Sequence, residues 1–214
     1  YEIVVVDEGS SDDTPELLAA YARDHGVTVL RHDEPRGLSG ARNAGFEASS
    51  ASYVAWIDDD DLTAPDRLVR QFDALRRGEE RWSCAGRVDV DDELEVIGHV
   101  RCPMQRPLLP VLLRSNVLPS AGQGLLVERE LAELVGPYDE TLDSAEDWDY
   151  VLRLAAITDA HMLDEPLVGY RTGFASMSTD TDRMERAIRT VTERHAALYA
   201  APSTTPDWST IHQS

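Results

Sequence analysis

Val54-Ala55-Trp56-Ile57-Asp58-Asp59-Asp60-Asp61 is an apolar run that ends abruptly in four consecutive carboxylates. It reads as a buried strand delivering a dense negative cluster to one edge of a sheet. Adjacent like charges repel, so at least one carboxyl is expected to hold its proton more tightly unless a cation sits there. Hard divalent ions such as Mg²⁺ and Mn²⁺ take oxygen ligands and bind substrate phosphates with them. The run alone fits a solvated acidic turn equally well. The next seven residues bear on the choice. Leu62-Thr63-Ala64 reads as a short loop, and a helix is expected to enter at Pro65, since proline is tolerated in a first turn. The cluster then lies at a strand-to-helix junction, where α/β sheets bind ligands.

Upstream, Glu2-Ile3-Val4-Val5-Val6-Asp7 is a β-branched run without polar alternation, the pattern of a strand covered on both faces. A turn comes after it, then Thr14-Pro15-Glu16, with a capping hydroxyl, an early proline and an early acid. The helix is expected to run to about Asp24 and to stop at Gly26, before a strand over Val27-Thr28-Val29-Leu30. This βαβ alternation predicts parallel pairing with a right-handed crossover. Gly37 and Gly40 precede a helix starting near Ala41, and Arg42 adds a charged fork. That arrangement suits close approach of a phosphate. No GxGxxG or GxxxxGK[ST] run is present.

Downstream, a helix is expected to reach Arg77 and end at Gly78. Trp82–Val90 and Leu94–Val100 read as a hairpin. The acids at 89–93 resemble a calcium loop only superficially, because Leu94 stands where the sharp turn needs glycine. A short helix is expected at Val111–Arg114, a strand at Gly124–Val127 and a helix at Arg129–Val135 closed by Gly136-Pro137. Ser144 is placed to cap a helix carrying Glu146, Asp147 and Asp149. Acids at a helix start also answer its dipole, which needs no catalytic role. His161-Met162-Leu163 reads as an edge strand and Leu167–Arg171 as the last ordered strand. A helix over 180–199 presents Met184, Ile188, Val191 and Leu198, and a polar tail begins at Pro202.

Net charge is −20 over 214 residues, which disfavours nucleic acid as a partner, since phosphate neutralisation needs basic patches. It also makes any membrane association peripheral and dependent on a partner. No apolar segment reaches the roughly 18–20 residues of a membrane span. The chain opens inside a strand-like run, so a signal peptide is not expected in it. Cys84 and Cys102 lack CxxC spacing and read as structural thiols, which fits a reducing, cytoplasmic location.

Six stretches, in one order from about residue 2 to 178, resemble the family 2 inverting glycosyltransferases of the GT-A fold. Val-Val-Asp-Glu-Gly-Ser-Ser-Asp-Asp-Thr at 5–14 is similar to their second-strand signature. Gly40-Ala41-Arg42-Asn43-Ala44-Gly45 resembles their arginine-bearing helix start. Ile57-Asp58-Asp59-Asp60-Asp61 with Pro65 beyond is similar to their DxD motif. Val135-Gly136-Pro137-Tyr138-Asp139-Glu140 resembles the GxFDE run, Glu146-Asp147 the ED pair, and Leu167 to Ser178 the closing segment.

The resemblance implies an α/β, Rossmann-like nucleotide-diphospho-sugar transferase with a mostly parallel central sheet flanked by helices. It implies one domain over 1–178, with 1–80 binding the nucleotide-sugar and 81–178 the acceptor, then a helix and polar tail over 179–214. The implied partners are a nucleotide-diphospho-sugar, taken as a UDP-sugar, and a saccharide or lipid-linked acceptor. Asp7 and Glu8 would contact the base, Arg42 the nucleotide phosphates, and Asp58 the ribose or donor sugar. Asp59 and Arg171 join the donor-binding set. Asp60 would hold Mn²⁺ or Mg²⁺, Asp147 would be the base with Glu146 beside it, and Trp148 would shape the acceptor pocket.

Three features depart from the family pattern. The strand and helix that usually precede the Asp7 strand, and that supply part of the base pocket and sheet centre, are not in this chain. Glu8 stands where aspartate is commoner, which moves the carboxylate by one methylene. Gly173 stands where many relatives carry histidine. These leave a catalytically impaired nucleotide-sugar-binding module as the alternative. A two-metal nuclease or nucleotide hydrolase lacks a P-loop here. A glycoside hydrolase would use two carboxylates but would not need the acid cluster.

Overall fold

The β-branched run near the start forms β1 (Val4–Asp7), followed by α1 (Thr14–His25) and β2 (Thr28–Arg31). The structure is a computed structural model, described for residues 1–172 and 181–200. β1 and β2 pair in parallel, as the βαβ alternation predicts. Thr14 is the first helical residue and Asp13 takes the cap position, one residue earlier than expected. Gly26 ends α1 at φ 68°, a left-handed conformation glycine adopts at little cost, and its N–H donates to Ala22 O.

α2 (Gly37–Ala48) starts several residues before the expected point, so Gly37 and Gly40 lie inside it. The cause is Glu8, whose carboxylate accepts the N–H groups of Arg36 and Gly37 at 2.5 and 2.8 Å. It satisfies donors that a helix start leaves open.

The strand expected before the acids is short. β3 covers only Tyr53–Val54, at the sheet edge, and the chain leaves it before the carboxylates begin. Asp61 N–H then closes a turn on Asp58 O at 3.4 Å, and β4 (Leu62–Thr63) comes next. α3 (Arg67–Arg77) begins two residues beyond Pro65 and ends at Gly78, whose N–H reaches Ala74 O and Leu75 O.

β5 (Trp82–Val90) and β6 (Val96–Val100) form the expected hairpin. In its turn Leu94 adopts φ 64°, and the Asp91 carboxylate accepts the N–H groups of Glu93 and Glu95. That acid is engaged in building the turn. Then come α4 (Leu109–Leu112), β7 (Leu125–Glu128), α5 (Arg129–Val135), α6 (Glu146–Ile157), β8 (His161–Arg171), α7 (Thr181–Arg194) and α8 (Ala196–Ala200).

The larger sheet runs β3-β7-β5-β8-β4, with β6 alongside β5. The α/β class holds, but the sheet is mixed. β5–β8 is parallel, whereas β3–β7, β5–β7, β5–β6 and β4–β8 are antiparallel. A tight hairpin such as β5–β6 can only close antiparallel. The two short strands expected around 161–171 are one 11-residue strand, and it lies inside the sheet between β5 and β4. Its register against β5 shifts around Gly86, which bridges the polar Asp164-Glu165 interruption. Among the described residues, the β1–β2 pair forms no ladder with this sheet.

α6 runs through the core. Val151, Leu152 and Leu154 pack with Trp82, Leu125, Val127 and Leu131, so the helix is apolar on most of its circumference. Ala187 and Val191 of α7 join that cluster, whereas Ile188 is 41% exposed, one position off the expected face. Cys84 and Cys102 are buried free thiols, as expected. Among the described residues no helix is long and apolar enough to cross a membrane.

Candidate active site

Arg42 is at the centre. α2 carries it inward until it is 7% exposed. One terminal nitrogen donates to Glu146 Oε1 at 2.9 Å and the other to Asp58 at 3.2 and 3.4 Å, while its guanidinium lies 5.2 Å from the Tyr138 ring centre. Burial opposes the charge. Tyr138, Asp58 and Glu146 outweigh it and raise the guanidinium above its ordinary value. Gly122 packs close beside it: a Cβ there would fall 2.8 Å from Arg42 Nη2, so a larger residue would displace the guanidinium. The bridge brings the exit of β3 and the start of α6 to one place, although the residues are far apart in the chain.

The start of α6 differs from expectation in its cap. Ala145 occupies the cap position at φ 58°, without a side-chain hydrogen bond, and Ser144 Oγ instead faces Met184 Sδ at 3.7 Å. The two leading carboxylates have unlike surroundings. Glu146 is paired with Arg42. Asp147 is half-buried; its Oδ1 accepts Trp148 N–H at 2.7 Å and its Oδ2 accepts Asn116 Nδ2 at 3.3 Å. Burial, then the neighbouring Glu146, push its carboxyl up to about 6, against the pull of Arg42. Such a group exchanges protons near neutral pH, which is what a general base needs. Trp148 is 5% exposed and its indole N–H donates to Leu112 O at 2.8 Å. The indole is thus held against the end of α4.

Below these, Asp149 is 1% exposed and pairs with His195 Nε2 at 2.8 Å and with Arg153 at 2.9–3.0 Å. Burial raises its carboxyl, but His195 and Arg153 win and hold it below the ordinary range. This cluster fastens α7 against α6.

In the acid turn, Asp58 faces Arg42, Asp61 is half-buried, and Asp59 and Asp60 are exposed. Asp61 Oδ1 accepts Arg171 N–H at 2.9 Å, and the Gln123 side chain also reaches it. Asp61 is the carboxyl that rises, from burial first and from Asp60 and Asp58 in addition, as charge crowding in the sequence suggested. Among the described residues, no three His, Cys, Asp or Glu side chains converge into a ready-made cage. The available donors are all carboxylate oxygens, two of them facing solvent. That set fits a hard cation completed by substrate phosphates and water, not a self-sufficient protein site.

Asp7 and Glu8 lie at the end of β1. Asp7 is buried; it accepts Ser10 N–H at 2.8 Å and pairs with Arg31. Glu8 also meets His32 Nδ1, so its carboxylate is occupied by the α2 start and His32 together. The α2 N-terminus, expected to be open to phosphate, is thus covered by a protein carboxylate. Glu140 ties the 136–140 run to α2, accepting Arg36 Nη2 at 3.0 Å and Asn43 Nδ2 at 3.1 Å. Gly173 lies outside the described residues.

Asn116 and Gln123 were missed in the sequence. Their stretch carries no motif, and only the Gly122-Gln123-Gly124 pattern signals a close backbone approach. Two arginines, Arg67 buried and Arg87 half-buried, hold this loop by its carbonyls: Arg67 donates to Gln123 O, and Arg87 to Pro119 O at 2.7 Å. Burial pulls the Arg67 guanidinium down to about 10. A separate apolar cavity of about 250 Å³, lined by Phe46, Trp56, Pro137, Tyr138 and Tyr150, includes none of the expected site residues.

The profile of Glycosyl transferase family 2 matches residues 1–135. Succinoglycan biosynthesis protein ExoO of Rhizobium meliloti is 34% identical over 209 residues, covering 87% of this chain and 57% of that protein. An uncharacterized glycosyltransferase of Haemophilus influenzae is 22% identical over 203 residues, covering 91% of this chain and 67% of that one. The chain thus spans little more than half the length of ExoO. Among solved structures, S. aureus TarS 1-349 in complex with UDP-GlcNAc superposes with a TM-score of 0.68 at 16% identity, over 89% of this chain and 56% of that one. The GT-A-like α/β fold is shared with that protein. On the extent of the profile match, the chain belongs to glycosyl transferase family 2.

Proposed function

We propose that the chain transfers a sugar, with inversion, from a nucleotide-diphosphate donor to an acceptor hydroxyl, with Asp147 as the general base. The observation that carries this reading is the division of labour across Arg42. Asp147 has a recessed carboxyl raised to about 6 on one side, and Asp58 to Asp61 form an acid turn on the other. TarS, crystallised with UDP-GlcNAc, supports a UDP-sugar donor. ExoO, named for succinoglycan biosynthesis, supports a saccharide or lipid-linked acceptor in polysaccharide assembly. The free thiols accord with a cytoplasmic setting.

In this reading Asp147 takes the proton of the acceptor hydroxyl as that oxygen attacks the anomeric carbon from the face opposite the diphosphate. The bond to the diphosphate oxygen breaks, and the nucleoside diphosphate leaves as an anion. Asp60, with Asp59 beside it, would hold Mn²⁺ or Mg²⁺ together with the diphosphate; when bound, the cation would stabilise the charge on that leaving group. Glu146 and Asp58 share Arg42 and keep the two walls in register. Asp7, Glu8 and Arg171 border the nucleotide end.

A donor-binding module of low activity is favoured by one observation, the engagement of Asp7 and Glu8 by Arg31, His32 and the α2 backbone. UDP binding measured by calorimetry with Mn²⁺, beside UDP release from UDP-GlcNAc, separates the two. The transferase reading expects Asp147→Asn to bind UDP as the parent does and to lose release; binding without release in the parent chain supports the module.

A further inference from the structure

Asn116 lies on an exposed loop, yet its amide has a defined orientation. Its Oδ1 accepts the Leu118 N–H at 3.3 Å, a short Asx-type closure that fixes which end of the amide faces outward from the turn. The other end, Nδ2, donates to Asp147 Oδ2 at 3.3 Å. Leu118 is buried, and the loop beyond it is held by Arg87 at Pro119 O and by Arg67 at Gln123 O. The residue is therefore exposed but anchored from below. Asp147 Oδ1 is fixed independently, by the N–H of Trp148. Each carboxylate oxygen thus has one donor, and each retains a second lone pair for an incoming hydroxyl.

We propose that Asn116 is a positioning residue for Asp147, setting the plane of its carboxylate and favouring its ionised form. The proposal rests on the reading of Asp147 as the base. The same loop runs on to Gly122 against Arg42 and to Gln123 at Asp61, so it spans both walls of the site. The other charged or titratable groups facing Asp147 are Glu146 on α6, Arg42 on α2 and Tyr138 on the preceding loop. Glu146 opposes ionisation of Asp147 and Arg42 favours it. Asn116 is the neutral donor among them, and removing it changes no formal charge.

The test is a carboxyl-¹³C NMR titration of the full chain, with Asp147 assigned from the resonance missing in Asp147→Asn. Asn116→Ala is expected to raise the Asp147 midpoint by roughly half a pH unit or more, because a donor to the charged form is lost. UDP release from UDP-GlcNAc should fall roughly tenfold, the worth of a hydrogen bond to a charged group. UDP binding should be unchanged, and Asn116→Gln should restore part of both effects. An unchanged midpoint in a folded Asn116→Ala chain overturns the proposal. The base reading fails separately: if Asp147→Asn still releases UDP, that reading falls while the titration still reports the Asn116–Asp147 coupling. If Asp147→Asn is silent and Asn116→Ala titrates like the parent, only the positioning role is lost.

Discussion

Arg42 and Glu146 are 104 residues apart in the chain and joined at 2.9 Å in the fold. The other arm of the same guanidinium takes Asp58. One buried cation thereby sets the separation of the two halves of the site, the acid turn after β3 and the head of α6. Two carboxylates share it, so removing the cation leaves both uncompensated.

Arg42→Ala should therefore destabilise the fold by about 3 kcal/mol, the usual cost of leaving a buried charge without its partner. Adding Glu146→Gln to it should recover part of that loss, because one orphaned charge is removed. Arg42→Lys should recover less than its charge suggests, since an ammonium cannot span both carboxylates as a planar fork does. Urea unfolding of the four chains checks this. Equal stability of Arg42→Ala and the parent would show that the bridge contributes nothing.

The rate of sugar transfer should fall on the acid side with a midpoint near the Asp147 value of about 6, because only the ionised carboxylate accepts a proton. Glu146→Gln should move that limb to lower pH. The substitution removes a like charge that resists ionisation of Asp147, and it frees Arg42 to favour it. A pH–rate profile for each chain decides the point, and a limb that stays put excludes Glu146 as a tuning group.

Asp147 also costs the fold stability. Its folded value lies above the unfolded one, so the folded state binds the proton more tightly. Between the two values, stability rises as pH falls. Above both, the folded chain bears the full cost of a recessed charge. Asp147→Asn should accordingly be more stable than the parent at pH 8 by about 1–2 kcal/mol after solvent screening, and should lose that advantage at pH 4. Thermal melts at the two pH values check the sign.

Asp149 behaves in the opposite sense. His195 and Arg153 hold its carboxyl below the ordinary range. Its stabilisation is present above the unfolded carboxylate range, about 3.9, and is lost as pH falls through the lower folded value. Asp149→Asn should cost about 3 kcal/mol at neutral pH and progressively less in acid. Hydrogen exchange should show α7 opening before α6, since this pair fastens one to the other. Uniform loss of protection across both helices would contradict the local role.

Much of this was legible in the sequence where a residue's own neighbours decide the outcome. Pro15 and Gly26 bound α1, Gly78 closed α3, and the β-branched run at 4–7 made a parallel strand. Long-range partners were not legible. The strand expected over Val54–Ile57 became the two-residue β3 because, among the described residues, β3 pairs with β7 alone, some seventy positions later. α2 started early because Glu8, nearly thirty residues before it, supplies the cap. The interior place of β8 depended on its pairing with β5 and β4. Asp147 was singled out through a motif, but Asn116, which touches it, stands in a stretch with no pattern of its own.

In the proposed transferase the acid turn grips a diphosphate while Asp147 waits across the same opening. A crystal of the chain soaked with UDP and Mn²⁺, with anomalous data collected at the manganese edge, tests it directly. A manganese peak is expected between the Asp60 carboxylate and the diphosphate oxygens, with Asp147 on the far side of the space left for the sugar. Manganese or nucleotide bound away from residues 58–61, or a diphosphate lying against Asp147, would contradict it.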